Sequence, residues 1–309
     1  MANFRFGVQL SAASNAKQWM SIVKRIESLR YSTIMVPDHF DAQLSPISAL
    51  SFAAAATETV NVGTLVASND YRHPVVLARE ITTLSALSGG RVELGLGAGW
   101  LKADYESSGL SLDPPGTRVA RLGESVEIMK SMFQGEELAF DGEFYHVHGA
   151  AAYPALPDEH RPRLTIGGGG RKVLDLAAKY ADIVGVNPNL SFGAVGIELL
   201  LEAAPERFDE KVAHVNERLD YYGRSAELQC LSFVCEVVED RKAWISDAAT
   251  AFSVDAEAVS KLPIVLVGSV EQLIDQLETS RERYGFSYWV IHQKEFEAFA
   301  PVVEALAGR

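Results

Sequence analysis

The sequence predicts a closed (β/α)8 barrel, and three observations carry that expectation. Short apolar runs alternate with helix-length amphipathic segments along the 309 residues, with no low-complexity linker between them. The runs are nearly all apolar, as strands become when helices cover them outside and side chains fill the space within. The first strand leads into Ser11–Ala12–Ala13–Ser14, where an open doubly wound sheet usually carries its glycine fingerprint. A single domain over residues 1–309, with insertions at the C-terminal face, is the expected organisation.

Taken in order, Phe4–Leu10 reads as a buried strand and Lys17–Leu29 as a helix with Trp19, Ile22, Val23 and Ile26 on one face. Thr33–Val36 is a strand stopped at Pro37, and Ala49–Thr57 an alanine-rich helix that must be packed. Asn61–Ala67 is the third strand. Pro74–Leu87 is a helix opened by a proline, whose missing N–H costs nothing there. Arg91–Gly95 and Arg118–Phe133 supply the fourth pair. Leu138–Val147, with Asp141–Gly142 between apolar stretches, reads as a β-hairpin, and Tyr153–Arg163, with three prolines, as a loop. Leu164–Ile166, Ile183–Val186, Leu228–Val238 and Tyr288–His292 are the remaining strands. Arg171–Tyr180, Pro205–Tyr222, Val270–Tyr284 and Phe296–Leu306 are the helices beside them.

Composition narrows the function. With 28 Lys and Arg against 41 Asp and Glu, the net charge of −13 repels nucleic acid and anionic membranes. The 48% hydrophobic content excludes a disordered chain. Cys230 and Cys235 are the only cysteines, too few for a disulfide framework and poor metal ligands without a histidine pair, so no metal is expected. The segment MANFRFGVQL lacks the features of a signal peptide, and no apolar run reaches membrane-spanning length. A soluble, cytosolic (cytoplasmic) protein is expected.

Barrels of this kind work at the C-terminal ends of their strands. There the sequence sets Asp38–His39, then Ser68–Asn69–Asp70 followed by Arg72–His73–Pro74, then Gly97–Ala98–Gly99–Trp100, then Gly167–Gly168–Gly169–Gly170–Arg171. Four glycines running into a helix expose backbone N–H groups beside a positive helix end, which suits a phosphate. Arg171 adds a fixed positive charge, and the alternative is a tight turn, which normally needs one or two glycines. His39 reads either as a core or capping residue or, beside a carboxylate at the catalytic face, as a general acid or base. Gly97 and Gly99 lack dinucleotide-fingerprint spacing and allow a flat ring to lie near the backbone. His146 and His148 alternate on an exposed hairpin, and Arg72–His73–Pro74 serves equally as a simple helix start.

The segments VPDHF, GTLVASNDYRHPVVLARE, SGGRVELGLGAGW and IGGGGRKVLDLAAKYAD together resemble the luciferase-like flavin and deazaflavin oxidoreductases, as does LVGSVEQLIDQLETSRERYGFSYWVI. The resemblance implies a TIM barrel that binds coenzyme F420 or FMN at its C-terminal mouth. The DHF and RHP motifs are more similar to the F420-dependent branch. It further implies that Asp38 and His39 lie near the deazaflavin ring, with His39 as the catalytic proton donor and Asp38 holding its tautomer or touching the ring. Leu65–Val66 would be a non-prolyl cis peptide backing the ring, with Ala67, Gly97, Ala98, Gly99 and Trp100 around it. Gly167 to Arg171 would hold the cofactor phosphate, so that Gly169→Val abolishes binding and spares the barrel. Where sugar-phosphate dehydrogenases of the branch carry a tryptophan and a glutamate, this chain has Leu44 and Trp100, so a sugar phosphate is not the expected substrate and a second acid/base group is missing.

Hydride transfer with F420 is thus the expected activity, and an FMN-dependent monooxygenase using FMNH2 and O2 the alternative. F420 ends in a phospholactyl-oligoglutamate tail, with which Lys102, Arg171 and Lys172 are compatible. The insertions Ser107–Gly116, Leu138–Pro157 and Leu190–Pro205 should wall the pocket. Their Leu110, Leu112, Phe140, Phe144, Tyr153, Leu190 and Phe192 point to a small, largely apolar substrate. No nucleic-acid or membrane partner is expected, and a homodimer is the expected assembly.

Overall fold

The computed structural model describes residues 2–309 apart from 136 and 194–196, and for residue 197 the backbone alone. The chain runs β1 (Arg5–Gln9), α1 (Ala16–Ser28), β2 (Thr33–Val36), α2 (Pro46–Ala56), β3 (Asn61–Thr64), β4 (Ala67–Ser68), α3 (Pro74–Ser88) and β5 (Val92–Gly97). There follow α4 (Lys102–Ser108), α5 (Pro115–Phe133), the hairpin β6 (Leu138–Asp141) and β7 (His146–Ala150), β8 (Arg163–Gly168), α6 (Arg171–Tyr180), β9 (Ile183–Val186), α7 (Ile197–Glu202) and α8 (Pro205–Tyr222). The last third holds β10 (Glu227–Leu231), β11 (Val234–Val237), α9 (Arg241–Phe252), α10 (Ala256–Lys261), β12 (Val265–Gly268), α11 (Val270–Tyr284), β13 (Phe286–His292) and α12 (Phe296–Leu306).

Parallel pairing runs β3–β2–β1–β13–β10–β9–β8–β5, and β5 pairs again with β3, so the sheet closes into the barrel that the alternation predicts. β4 resumes the path of β3 along β5 after a break at Leu65–Val66. Local sequence explains the helices. Asn15 caps α1 by accepting from the Gln18 N–H, and Trp19, Val23 and Ile26 fall on one buried face. α2 begins at Pro46, earlier than its alanine run suggests, because proline is tolerated in a first turn.

Beyond the expected elements the chain forms β12 and the helices α4, α7, α9 and α10, and one expected strand is divided between two sheets. Leu228–Val238 is not continuous: β10 stays in the barrel, while β11 leaves it and pairs with β12. At the break Ser232 donates its N–H to Val290, and the Phe233 N–H turns to Ile264. Alternating Val and Phe report two buried strands here and say nothing of the change of partner. Cys230 and Cys235 therefore sit on different strands, free and buried, with burial pushing both thiols above their ordinary range.

Most apolar side chains fill one layer between strands and helices. Inside the barrel lie Met35, Leu65, Ile183, Tyr288 and Val290. Beneath them, at the N-terminal end, Arg5 closes the floor through Glu93 (2.6 Å) and Glu227 (2.6 Å), with its guanidinium 3.5 Å from the Tyr288 ring centre.

Burial resists ionisation of Glu227, yet the hydrogen bond and charge of Arg5, joined by Arg163, hold its carboxyl below the ordinary 4.5. That stabilisation is present above pH 4.5 and is lost as pH falls below it. Arg5→Leu would remove the cation shared by Glu93 and Glu227, leaving Arg163 as their remaining cation, and should cost about 3 kcal/mol of unfolding free energy at neutral pH. Urea melts should show the gap from wild type narrowing as pH falls through that value, and a constant gap would refute the assignment.

Candidate active site

The C-terminal ends of β2, β3–β4, β5, β8 and β9 converge on one mouth. β2 runs into Pro37, after which successive side chains diverge. Asp38 turns toward the β3–α3 loop: its Oδ2 accepts from the Ser68 N–H at 3.1 Å, and its carboxylate takes the Arg72 fork at 2.5 and 3.1 Å. His39 turns the other way, and its Nδ1 lies 2.6 Å from Asp104 Oδ2 on α4. Asp104 also accepts from the Phe40 N–H at 3.1 Å and from the Tyr71 hydroxyl at 3.0 Å. Its side chain is 4% exposed, that of His39 23%. The Trp100 ring meets His39 edge to face, with centroids 5.9 Å apart.

This corrects one expectation. Asp38 does not hold the His39 tautomer, because Arg72 already occupies its carboxylate and His39 meets Asp104 instead. Asp104 is a partner of His39 that the sequence did not single out. The only sequence sign of Asp104 was an acidic residue in the first turn of a helix just after Trp100. Arg72–His73–Pro74 does both things considered for it. His73 Nδ1 accepts the Val75 N–H to cap α3, while Arg72 pairs with Asp38.

The Leu65–Val66 peptide is cis, and the Leu65 carbonyl accepts from Gln9 Nε2 at 2.8 Å. Val66 lies against β5, where a Cβ on Gly97 would meet its methyl at 2.7 Å. Gly97 is thus required by Val66, not only by a ring above it. Gly99 adopts φ +77°, and Arg118 donates to the carbonyls of Ala98 and Gly99. Ala67 pairs with Leu96 beside this bulge.

β8 ends in Gly167 and Gly168, and α6 begins at Arg171 behind Gly170, which caps it with no side chain. First-turn N–H groups of such a helix have no intrahelical partner. A Cβ at Gly170 would meet nothing within 4 Å, so the helix end is open. At Gly169 the same atom would lie 2.4 Å from the Pro188 and Asn189 backbone. The Arg171 side chain is exposed and turns to His214 on α8 at 3.3 Å, so its charge is directed along the outer helices. Lys102 pairs with Glu106 at 3.2 Å.

Beside the mouth, Tyr105 donates to Asp70 at 2.8 Å, and burial with that carboxylate pushes the phenol up to about 12. Burial likewise raises Asp70, and it raises Tyr71, helped there by Asp104. The hairpin closes on this side through Tyr145, which accepts from Asn69. Phe144 lies under Arg121, with the guanidinium 5.5 Å from its ring centre. Leu190–Gly193 borders the mouth, with the Gly193 carbonyl on the Lys102 N–H, whereas residues 194–196 of the Leu190–Pro205 insertion lie outside the described residues. Tyr153 does not wall the mouth: it is exposed beside the outer faces of α2 and α3. His146 and His148 are exposed on β7.

A model of the family described as luciferase-like monooxygenase matches residues 1–258. The chain belongs to that family. The luciferase-like chain is 34% identical to an uncharacterized protein of Mycobacterium tuberculosis over 47% of its length, and it spans about half (50%) of that relative. It is 27% identical to an F420-dependent glucose-6-phosphate dehydrogenase of Mycolicibacterium smegmatis, over 96% of this chain and 93% of the other. Its fold matches a solved F420-dependent secondary alcohol dehydrogenase in complex with an F420-acetone adduct, with a TM-score of 0.78 at 16% identity, over 99% and 98% of the two chains. Among its described residues no helix is long and apolar enough to cross a membrane.

The two central glycines of this luciferase-like mouth should respond differently to a methyl group. Gly169→Ala must displace the Pro188–Asn189 backbone and should lower the melting temperature by several degrees. Gly170→Ala, at φ −89° and ψ 144° in open space, should leave it unchanged or slightly higher. Thermal melts of both variants check this, and equal effects would refute it. Gly169→Val is accordingly no clean probe of ligand binding, since it disturbs the loop itself.

Proposed function

We propose that this luciferase-like protein is a cytosolic F420-dependent oxidoreductase that moves hydride between F420 and a small, largely apolar organic substrate. One observation carries the reading. The same mouth holds a half-buried histidine backed by a buried carboxylate and, on its other side, a bare helix N-terminus headed by glycine. The first is what a proton-transfer step needs and the second is what a phosphate needs. The full-length match to an F420-dependent relative supports F420 over other cofactors.

The residues fit such a group. Gly167 to Gly170 form the cradle for the phosphate, with the backbone N–H of Arg171 and without its side chain. Leu65, Val66, Ala67 and Gly97 to Trp100 form the wall for the ring, beside Asp38 and His39. When bound, F420 supplies or accepts the hydride. Hydride delivered to one end of a polarised double bond leaves charge at the other, and His39 gives the proton there. The Arg72 fork holds both oxygens of Asp38, turning it away from that proton.

The family description also covers monooxygenases, so FMN is the competing cofactor. Titration of the protein with F420 and FMN, followed by fluorescence quenching, separates the two. F420 should saturate, and Gly170→Val should weaken it about tenfold or more, equivalent to about 1.4 kcal/mol. Binding of FMN alone would replace this reading by the monooxygenase, and binding of neither would remove both. His39→Ala and His39→Gln should lower the F420-linked rate by about 10²–10⁴ with cofactor affinity little changed. Recovery of the rate at saturating F420 would instead make His39 a packing residue.

The assembly we propose is a homodimer through α2 and α3. A groove of about 580 Å³ between these helices is bordered by Val76, Leu87 and Tyr153, all exposed, with Leu87 83% accessible. An apolar patch of this kind marks an interface. Light scattering should give twice the chain mass for the wild type and the single mass for Leu87→Glu with Val76→Glu. A monomeric wild type would refute the assignment.

A further inference from the structure

We propose that Asp104 is the positioning residue of His39, fixing the ring proton on Nδ1 so that Nε2 is the nitrogen that exchanges the reaction's proton. The clause on the reaction rests on the function proposed above, whereas the tautomer stands on geometry alone.

Asp104 Oδ2 lies 2.6 Å from His39 Nδ1. Its two oxygens are already committed: Oδ1 accepts the Phe40 N–H at 3.1 Å, and Oδ2 also accepts the Tyr71 hydroxyl at 3.0 Å. These two donors fix a side chain only 4% exposed with its oxygens as acceptors, and a carboxylate oxygen so placed accepts from the ring nitrogen as well. Nδ1 must therefore carry the hydrogen. Asp104 sits on α4 and Phe40 follows His39 directly, so one side chain orients both the imidazole and its backbone. The edge of the Trp100 ring, 5.9 Å between centroids, limits rotation of the imidazole. Nε2 lies at the exposed edge of the ring and has no hydrogen-bond partner among the described residues.

The chemistry balances. In the reducing direction a reduced deazaflavin gives a hydride, with both its electrons, to one atom of a polarised double bond. The Nε2–H of the imidazolium gives a proton to the other atom, leaving neutral imidazole with hydrogen on Nδ1. In the oxidising direction the Nε2 lone pair takes the hydroxyl or amine proton as hydride leaves the adjacent carbon for the oxidised cofactor. Either way Nδ1 keeps its hydrogen. Asp38 cannot substitute, because Arg72 holds both its oxygens.

Replacing Asp104 by asparagine should reverse the ring. The Phe40 N–H needs an acceptor, so the amide oxygen stays at Oδ1 and the NH2 group takes the place of Oδ2. That group can only donate, so Nδ1 becomes the acceptor and the hydrogen moves to Nε2. Loss of a triad aspartate is known to act through the wrong histidine tautomer in this way.

The test is ¹⁵N NMR of histidine-labelled, cofactor-free protein at a pH alkaline enough for neutral imidazole, with the His39 signals assigned by their absence from His39→Gln. Wild type should show a protonated Nδ1 and an unprotonated Nε2. Asp104→Asn should exchange the two patterns. Tyr71→Phe, which removes a donor and leaves the carboxylate, should keep the wild-type pattern. A wild type protonated on Nε2, an Asp104→Asn spectrum like wild type, or a reversal in Tyr71→Phe would each overturn the assignment. If Asp104→Asn does not fold, the wild-type and Tyr71→Phe spectra still decide it. Failure of F420 to bind would remove the proposed function and leave this tautomer untouched, so the two failures are distinguishable.

Discussion

Arg5 enters the barrel floor from β1 and spans its width, reaching Glu93 on β5 and Glu227 on β10, with Thr33 of β2 at 3.3 Å. Tyr288 of β13 lies under the guanidinium and donates its hydroxyl to Glu93 at 3.2 Å, while Asn61 of β3 and Arg163 of β8 reach the same carboxylates. One cation thus engages side chains from four other barrel strands, and through its two carboxylates the network takes in β3 and β8. Such a buried network adds little net stability over an apolar floor. Its effect is on register, because a slip of one residue would turn each of these side chains to the opposite face. Arg5 pairs in register with Tyr288, and Glu93 with Arg163. The strands therefore end at set heights, which is what a mouth built from five strand ends requires.

At those ends the chain separates two carboxylates that look alike in composition. Asp38 meets a permanent cation, Arg72, which takes both its oxygens. Asp104 meets a titratable partner, His39, with two neutral donors beside it. The first arrangement ties the β2 end to the β3–α3 loop. The second ties the β2 end to α4 through an imidazole whose other nitrogen has no hydrogen-bond partner among the described residues. The division of labour follows from alternation of side chains along the segment after β2, combined with the approach of α4 from the far side.

The open N-terminus of α6 depends on a different constraint. Gly169 is pressed against the Pro188–Asn189 backbone and Gly170 is not, so the turn approaches the β9 end on one side and leaves bare N–H groups on the other. Arg171 is drawn off to His214. What the turn leaves open is backbone N–H and the positive end of the helix dipole, set by chain path rather than by a charged side chain.

The barrel strands and most of their helices, the proline starts at Pro74 and Pro205 and the hairpin at Asp141–Gly142 were legible along the chain, because periodicity reports which face of a local segment is buried. The glycine-rich strand end and His39 were legible for a similar reason: their meaning lies in their position at the end of a short apolar run. The partner exchange at Ser232 was hidden, since β10 and β11 have the same alternation whichever strand lies beside them. The partners at the mouth were hidden too. Asp104 lies 65 residues from His39, Arg72 lies 34 from Asp38, and Glu227 lies 222 from Arg5. A polar side chain carries no local sign of its partner, because closure of the barrel alone brings such distant residues together. Sequence by itself determined the barrel and which strand end carries the glycines and which His39; the tertiary structure decided which carboxylate meets which base, since that depends on distances set across the sheet.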